Sequence, residues 1–138
     1  MTRQGTATAE LTLAFTVQQS ALAKSEENRI FKRLRQILTE IRKNRRLMGY
    51  TLRNSSQAIA DLNKAEELIE LSLLSAQIFD SVQQLLGVCN REQMKNAVLE
   101  GSRMRILCVS IKGNQVSIFT EKSVDYQPIL EKLSEVDN

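Results

Sequence analysis

The stretch Lys64–Gly87 is predicted to form one long helix that carries more apolar surface than a single sheet can cover. At ~100° per residue its apolar residues fall in two neighbouring arcs, and its polar residues are confined to a narrow strip. A helix packed on one sheet needs only about 100° of apolar surface. The excess must therefore be covered by a second element, from the same chain or from another subunit.

We expect the two apolar arcs of this helix to pack on different partners. The first arc would anchor the helix to its own sheet and consists of Leu68, Ile69, Ala76, Phe79 and Leu86. The second has the 3, 4, 4 and 3 spacing of a coiled-coil seam and consists of Leu71, Leu74, Ile78, Val82 and Leu85. We expect this seam to meet the same helix of a second subunit. The alternative is that the chain's own N-terminal extension covers it.

The remaining pattern alternates between helix and strand signals. The predicted strands are Leu47–Arg53, Gln57–Leu62, Met94–Glu100, Met104–Lys112 and Gln115–Glu121. A first helix is predicted from Ser25 to near Asn44, and a short last helix from Pro128, with Asp125 as its cap. Asn63 and Gly87 are predicted to cap the long helix at its two ends. The order α-β-β-α-β-β-β-α is that of an α+β layered domain with five antiparallel strands.

Residues 1–25 are predicted to be an extension, mobile at its start, that precedes the domain at residues 26–138. From Leu11 to Val17 apolar residues alternate with Thr and Ala, which favours an extra strand. Leu11, Ala14, Phe15 and Leu22 also fit one face of a helix.

The net charge of +3 is unevenly spread. Basic residues occupy the side of the first helix opposite its apolar arc, which has three interpretations: a solvated exterior, contact with an acidic protein surface, or contact with nucleic acid or an anionic membrane. Aromatic residues that could stack on bases are not interleaved with them, so this pattern favours nucleic acid least. The basic face consists of Arg29, Lys32, Arg33, Arg35, Arg42, Lys43 and Arg46.

Signals for chemistry are sparse. The chain has no His, which removes the commonest general base and metal ligand. No Gly-rich loop precedes a helix, so no phosphate-binding loop is predicted. Cys89 and Cys108 match no zinc or redox spacing, and we expect Cys108 to be a buried small hydrophobe. We expect no enzymatic activity, no cofactor and no metal site.

Targeting signals are also missing from the sequence. The N-terminus lacks a basic segment followed by an apolar one, and no window approaches ~20 uncharged apolar residues. We therefore expect no membrane span and a cytoplasmic location.

Several runs of the sequence resemble the Roadblock/dynein light-chain family. The matching runs are IFKRLRQILTEI, LMGYTLRNSSQAIADL, the long helix, MKNAVLEGSRMRILCVSIKGNQVSIFTEK and YQPILEKL. The resemblance implies a sheet of strand order 2-1-5-4-3, with the long helix on one face and the N- and C-terminal helices on the other. It also implies a homodimer or heterodimer formed through the long helix and the third strand, here with Met94, Asn96 and Val98.

The resemblance implies a non-catalytic function. Members of the family are scaffolds and regulators, and many bind Ras-like small GTPases or form the platform for them; others attach adaptor chains to dynein. The leading interpretation is a dimeric regulatory or scaffold domain that engages a small GTPase or its assembly. The first alternative is a protein that binds nucleic acid or an acidic surface through Arg29–Arg46, and the second is a sensory domain that encloses a small ligand.

Overall fold

The computed structural model describes residues 2–64, 66, 68–89 and 95–137. The elements follow the predicted order from helix to closing helix. They are α1 (Thr2–Ile41), β1 (Leu47–Arg53), β2 (Ala58–Leu62), α2 (Leu68–Cys89), β3 (Asn96–Glu100), β4 (Met104–Ile111), β5 (Asn114–Glu121) and α3 (Gln127–Ser134), with a 3-10 turn at Glu135–Asp137.

The five strands form one antiparallel sheet in the order β2-β1-β5-β4-β3. This confirms the predicted strand order and the α+β class. Side chains alternate between the two faces of a strand, so β4 sends Leu107 and Val109 to one face and Cys108 to the other. The first face is covered by α1 and α3, and the second by α2.

The larger core lies between the sheet and the pair α1 and α3. Its buried residues come from the sheet, from α1 and from α3 with the segments that flank it, and their side chains are entirely aliphatic or aromatic. The most deeply buried are Ile30, Leu34, Leu38, Leu47, Leu52, Leu107, Val116, Ile118, Leu133 and Val136. The α2 face has a smaller core, in which Phe79 packs with Cys108. The α2 side therefore buries less apolar surface within the chain.

The first helix differs from the prediction. Residues 11–17 do not form a strand; α1 runs without a break from Thr2 to Ile41, and Ser25 lies inside it rather than at its N-cap. No Pro interrupts this stretch and Gly5 is its single Gly, so the helical spacing of Leu11, Phe15 and Leu22 can continue into the helical pattern of the domain. Residues 11–17 fit both a strand pattern of period 2 and a helical pattern, and the prediction of a strand was wrong.

The caps of α2 also differ from the prediction. Its first turn begins at Leu68, and Asn63 instead extends the β1–β2 pairing by donating its backbone N–H to Met48 O over 3.0 Å. Gly87 lies within the helix, which ends at Cys89. At α3 the N-cap is Tyr126, which makes no side-chain cap hydrogen bond, and not the predicted Asp125. Asp125 lies one residue earlier and accepts a hydrogen bond from the Gln127 backbone N–H over 3.2 Å.

Side-chain amides join α1 to the two hairpin turns at one end of the sheet. Asn114, at the β4–β5 turn, is fully buried and donates to the backbone carbonyls of Glu27 (3.0 Å) and Ile111 (3.2 Å). Asn54, after β1, donates to Asn114 Oδ1 over 3.1 Å and to Asn28 Oδ1 over 3.2 Å. Residues 22–26 next to this junction are exposed. The junction therefore marks the point at which α1 leaves the sheet.

Candidate protein-interaction surfaces

The outward surface of α2 exposes large apolar side chains. Leu73 is 60% exposed, Leu74 42% and Leu85 63%. On the inward side Phe79 is buried, and Ile78 and Val82 pack beside it against the sheet. The predicted seam is therefore divided, because Leu74 and Leu85 face away from the sheet while Ile78 and Val82 lean towards it.

The outer edge of β3 has backbone groups free for pairing with another strand. Within the ladder, Ser110 N–H donates to Lys95 O over 2.9 Å and Gly101 N–H donates to Met104 O over 2.8 Å. Antiparallel pairs alternate along the strand between bonded and non-bonded positions. The backbone groups of Asn96, Val98 and Glu100 consequently point away from β4. Because β3 ends the sheet, they form an open edge in the described part of the chain.

The side chains of β3 divide between the two faces of the sheet. Val98 pairs with Leu107 and packs on the α1 side, and Asn96 lies on that same face. Ala97 packs towards α2, and Leu99, 37% exposed, shares its face. Of the residues predicted on this strand, Asn96 and Val98 contribute backbone groups to the edge, while Leu99 supplies the exposed apolar side chain there. Met94 lies outside the described residues.

The predicted basic face is only partly a free surface. Arg42 is half-buried, donates to Leu47 O over 2.9 Å and lies 3.5 Å from Asp61 Oδ2, so it ties the end of α1 to the sheet. Arg33 donates to Val136 O over 3.1 Å, and Lys43 pairs with Glu40 at 3.4 Å. Arg29, Lys32, Arg35 and Arg46 have exposed side chains that make no polar contact with the described residues.

A cavity of about 270 Å³ lies between α2 and strands β1, β2 and β5. Its wall includes Thr51, Ala60, Ser75, Phe79 and Ser117. The Ser75 hydroxyl already donates to Leu71 O over 2.8 Å. Pockets that bind small molecules are usually larger and place several free polar groups around the ligand. The cavity therefore gives little support to the ligand-sensing alternative.

Cys108 is fully buried on the α2 face and is a free thiol, as predicted. Burial raises its pKa, and the nearby hydroxyl of Ser117, 4.0 Å from Sγ, offsets only part of that effect. Among the described residues, no cluster of three or more His, Cys, Asp or Glu side chains is placed to hold a metal ion. None of the described helices is both long and apolar enough to cross a membrane.

The arrangement defines a three-layer α+β domain, with a long helix on one face of an antiparallel sheet and two helices on the other. Solved structures of this class include a Roadblock/LC7 domain from Streptomyces avermitilis, with a TM-score of 0.59, 8% identity, and coverage of 72% of this chain and 88% of that chain. No protein-family model matches the sequence, and no curated protein matches it significantly.

Two further similar structures are MglB proteins. MglB from Myxococcus xanthus has a TM-score of 0.61 at 10% identity, with coverage of 72% of this chain and 85% of that one. The gliding protein MglB from Thermus thermophilus has a TM-score of 0.59 at 14% identity, with coverage of 78% and 90%. Sequence identities this low are evidence for a shared fold only. The chain has the Roadblock fold, which confirms the resemblance first noted in its sequence.

Proposed function

We propose that the chain is a non-catalytic, dimeric regulatory or scaffold protein of the cytoplasm that binds or regulates a Ras-like small GTPase or its assembly. The observation that carries the proposal is that two surfaces without a partner in this chain occur together: an exposed apolar helix face and an open strand edge. The α2 face exposes Leu74 and Leu85, and the β3 edge has open backbone groups beside the exposed Leu99. A second subunit would complete both.

An isologous contact fits this combination. In a two-fold dimer the β3 strands would pair antiparallel, and each α2 would pack its exposed leucines on the other. Edge strands left open are prone to uncontrolled pairing, and a specific partner at β3 removes that hazard. A paralogous Roadblock subunit would satisfy the same geometry as a second copy.

The chain's own N-terminus is a poor candidate for covering α2. The α1 helix packs on the opposite face of the sheet through Ile30, Leu34 and Leu38. It continues as a single helix to Thr2, and a continuous helix cannot turn around the edge of a sheet to reach the other face. This supports assembly with another chain over the self-covering alternative.

The assembly is tested by the mass of the protein in solution. We expect the native chain to sediment as a dimer and Leu74→Glu/Leu85→Glu to sediment as a monomer with unchanged circular dichroism. Leu22→Glu is the matched control, because Leu22 is 71% exposed but lies on α1. A monomeric native chain across the accessible concentrations, together with an absence of any paralogous partner, would refute the dimer.

The GTPase part of the proposal needs a separate measurement. Purified dimer would be titrated with candidate Ras-like GTPases loaded with GDP or with a non-hydrolysable GTP analogue. We expect one of the two nucleotide states to bind at least tenfold more tightly. Binding that ignores the nucleotide would indicate attachment without regulation, and no binding across the candidates would refute this part while the dimer result stands.

A further inference from the structure

The sheet has a second open edge, at β2, on the side away from β3. Its hydrogen bonds to β1 are defined at both ends: Asn54 N–H donates to Gln57 O over 2.9 Å, and Asn63 N–H donates to Met48 O over 3.0 Å. Bonded and non-bonded positions alternate between these two ends. In the described part of the chain, the residues whose backbone groups point away from β1 into open space are Ala58, Ala60 and Leu62.

The residues with free backbone groups also face α2. Ala60 pairs with Thr51, and both line the cavity between α2 and the sheet. Ala58 lines the same cavity. Ile59 has the opposite orientation, because side chains alternate along a strand, and it packs against the core under α1. The free backbone groups and the cavity therefore belong to the same residues of β2.

The cavity can be reached from the edge of the sheet. Ala58 and Ala60 are exposed although their side chains face α2, so solvent reaches the cavity past these small side chains. Phe79 of α2 forms a buried apolar part of its wall. A sheet edge that binds an extended peptide uses main-chain hydrogen bonds for affinity and pockets for alternate side chains for specificity. Both features occur at β2.

We propose that β2 binds an extended peptide segment of a partner protein, which adds to the sheet as a further antiparallel strand. The segment would exchange backbone hydrogen bonds with Ala58, Ala60 and Leu62. Directly opposite residues of two paired strands have their side chains on the same face. The residue opposite Ala60 would therefore lie at the mouth of the cavity, where a branched aliphatic side chain (Val, Ile or Leu) would approach Phe79.

Nothing in β2 blocks the addition of a strand. Natural edge strands avoid pairing through Lys, Pro or a bulge. The sequence of β2, AIADL, contains neither Lys nor Pro, and its register with β1 is regular from Ala58 to Leu62. The charged residue of the strand, Asp61, lies on the face that carries Ile59 and is 3.5 Å from Arg42. The α2 side of the edge is left uncharged.

The side chains of β2 favour a peptide over a second copy of the chain. A stable interface between subunits usually buries about 1,200–2,000 Å² and has an apolar centre. β2 is five residues long and exposes only Ala58, Ala60 and Asp61, whereas the β3 edge exposes Leu99. Two β2 edges would thus share hydrogen bonds with little apolar contact, whereas a peptide brings its own aliphatic side chain to the cavity.

The test pans a phage-displayed library of random peptides against the full chain and measures the affinity of enriched peptides by fluorescence anisotropy. We expect the enriched peptides to share an aliphatic residue within an alternating pattern. Ala60→Pro removes an outward N–H and no ladder bond, so it should raise the dissociation constant at least about tenfold. Asn96→Pro is the matched control, because it removes an outward N–H at the other edge, and should change that constant by less than about threefold.

A second variant retains the N–H and tests the cavity. Ala60→Leu would place its larger side chain between α2 and the sheet, where the peptide's aliphatic side chain is expected. It should raise the dissociation constant at least about tenfold, whereas Ala60→Ser, which changes the volume little, should stay within about threefold. Circular dichroism would verify folding, and Ala60→Leu keeps the test valid if Ala60→Pro does not fold.

Amide hydrogen exchange measured by NMR would locate the bound peptide. In the free chain the outward N–H groups of Ala58, Ala60 and Leu62 have no ladder partner and should exchange quickly. A saturating peptide should slow their exchange at least about tenfold. Ile59 and Asp61 should change little, because their N–H groups already donate to β1. This alternation along one strand is specific to strand addition.

Four outcomes would overturn the proposal. They are the absence of any enriched peptide, equal affinity of the peptides for the native chain, Ala60→Pro and Ala60→Leu, protection confined to amides outside β2, or self-association that Ala60→Pro abolishes without peptide binding. The last would assign the edge to a second copy. The proposal does not rest on the proposed function, because the variants that test the dimer lie on α2 and β3, so the two can fail separately.

Discussion

Glu27 of α1 accepts two hydrogen bonds from Ser55, one from its backbone N–H and one from its hydroxyl, each over 2.9 Å. Ser55 lies in the turn between β1 and β2, and Glu27 is only 9% exposed. The backbone carbonyl of Glu27 accepts a hydrogen bond from Asn114, the first residue of β5 after the β4–β5 turn. One helical residue thus holds both turns, and the apolar core begins one turn further along the helix at Ile30.

The first prediction concerns the stability that Glu27 contributes. Glu27→Gln keeps the shape but replaces one acceptor oxygen with a donor that faces a donor of Ser55. Hydrogen bonds to a charged group contribute about 1.5–3 kcal/mol to the free energy of unfolding. A buried donor left without a partner lowers that free energy further. We expect the free energy of unfolding to fall by about 1.5–3 kcal/mol in urea denaturation. Glu26→Gln, at the exposed neighbouring position, should change it by less than about 0.5 kcal/mol.

The second prediction concerns Gly49, where β1 shifts register against β5. Its φ is +154°, and a Cβ there would lie 2.8 Å from Leu62 Cα. Gly49→Ala combines backbone strain with overlap, and should lower the free energy of unfolding by about 2–5 kcal/mol. Gly101→Ala is the control: its Cβ would meet Met104 O at 3.3 Å, so we expect a change below about 1 kcal/mol. Equal losses in the two variants would contradict this account.

The third prediction separates the β3 edge from the α2 surface in the proposed dimer. The N–H of Asn96 points away from β4, so Asn96→Pro removes a donor from the open edge and none from the ladder. We expect the dimer dissociation constant, measured by sedimentation equilibrium, to rise at least about tenfold. Asn96→Ala retains the N–H and should leave that constant within about threefold. If both variants dimerise like the native chain, β3 is not part of the interface.

The fourth prediction follows from the raised pKa of Cys108. Below the ordinary thiol pKa of 9.0 the group is protonated in both the folded and unfolded chain. As the pH rises above that value the unfolded thiol ionises first, so the unfolded chain binds fewer protons and the folded state loses stability. The loss approaches ~1.4 kcal/mol per pH unit until the folded pKa is reached.

The measurement compares Cys108 with Cys108→Ala in a Cys89→Ala background, so that a single thiol differs. Urea denaturation between pH 8 and pH 10.5 should give a steeper decline for the chain that retains Cys108. The absolute free energies of unfolding differ because the variant leaves a small cavity. The comparison therefore uses the slope of the free energy of unfolding against pH in each chain. Parallel slopes would mean that the thiol ionises equally in both states.

The bounds of β1 and the burial of Cys108 could be predicted from hydrophobic period and turn residues, which are local signals. The sheet order was implied by the family resemblance, because local signals do not determine which strands pair. The extension was harder because Leu11–Val17 satisfies both period 2 and period 3.6, and no Pro or second Gly separates the two. The Glu27–Ser55 contact joins residues far apart in the chain, and nothing near either residue indicates the other.

For the interaction surfaces, too, the sequence predicted some of the exposed residues and missed others. The helical wheel of α2 placed Leu74, Leu85, Ile78 and Val82 in one seam. The structure exposes Leu74 and Leu85, whereas Ile78 and Val82 are partly buried beside Phe79, and their place in an interface stays a prediction. The tilt of a helix on a sheet decides such neighbouring positions, and a wheel does not contain that tilt. Leu99 was missed because its exposure depends on β3 being an edge strand with α2 on its side of the sheet.

The exposed leucines also bear on how the amount of this protein is controlled in a cell. A newly made subunit shows Leu73, Leu74, Leu85 and Leu99 to its surroundings, and patches of this kind promote aggregation. Chaperones and proteases recognise such surfaces, so if the proposed dimer forms, an unassembled copy would be short-lived while an assembled copy would persist. Under that proposal, steady-state abundance would follow the supply of the second subunit more closely than the chain's own rate of synthesis.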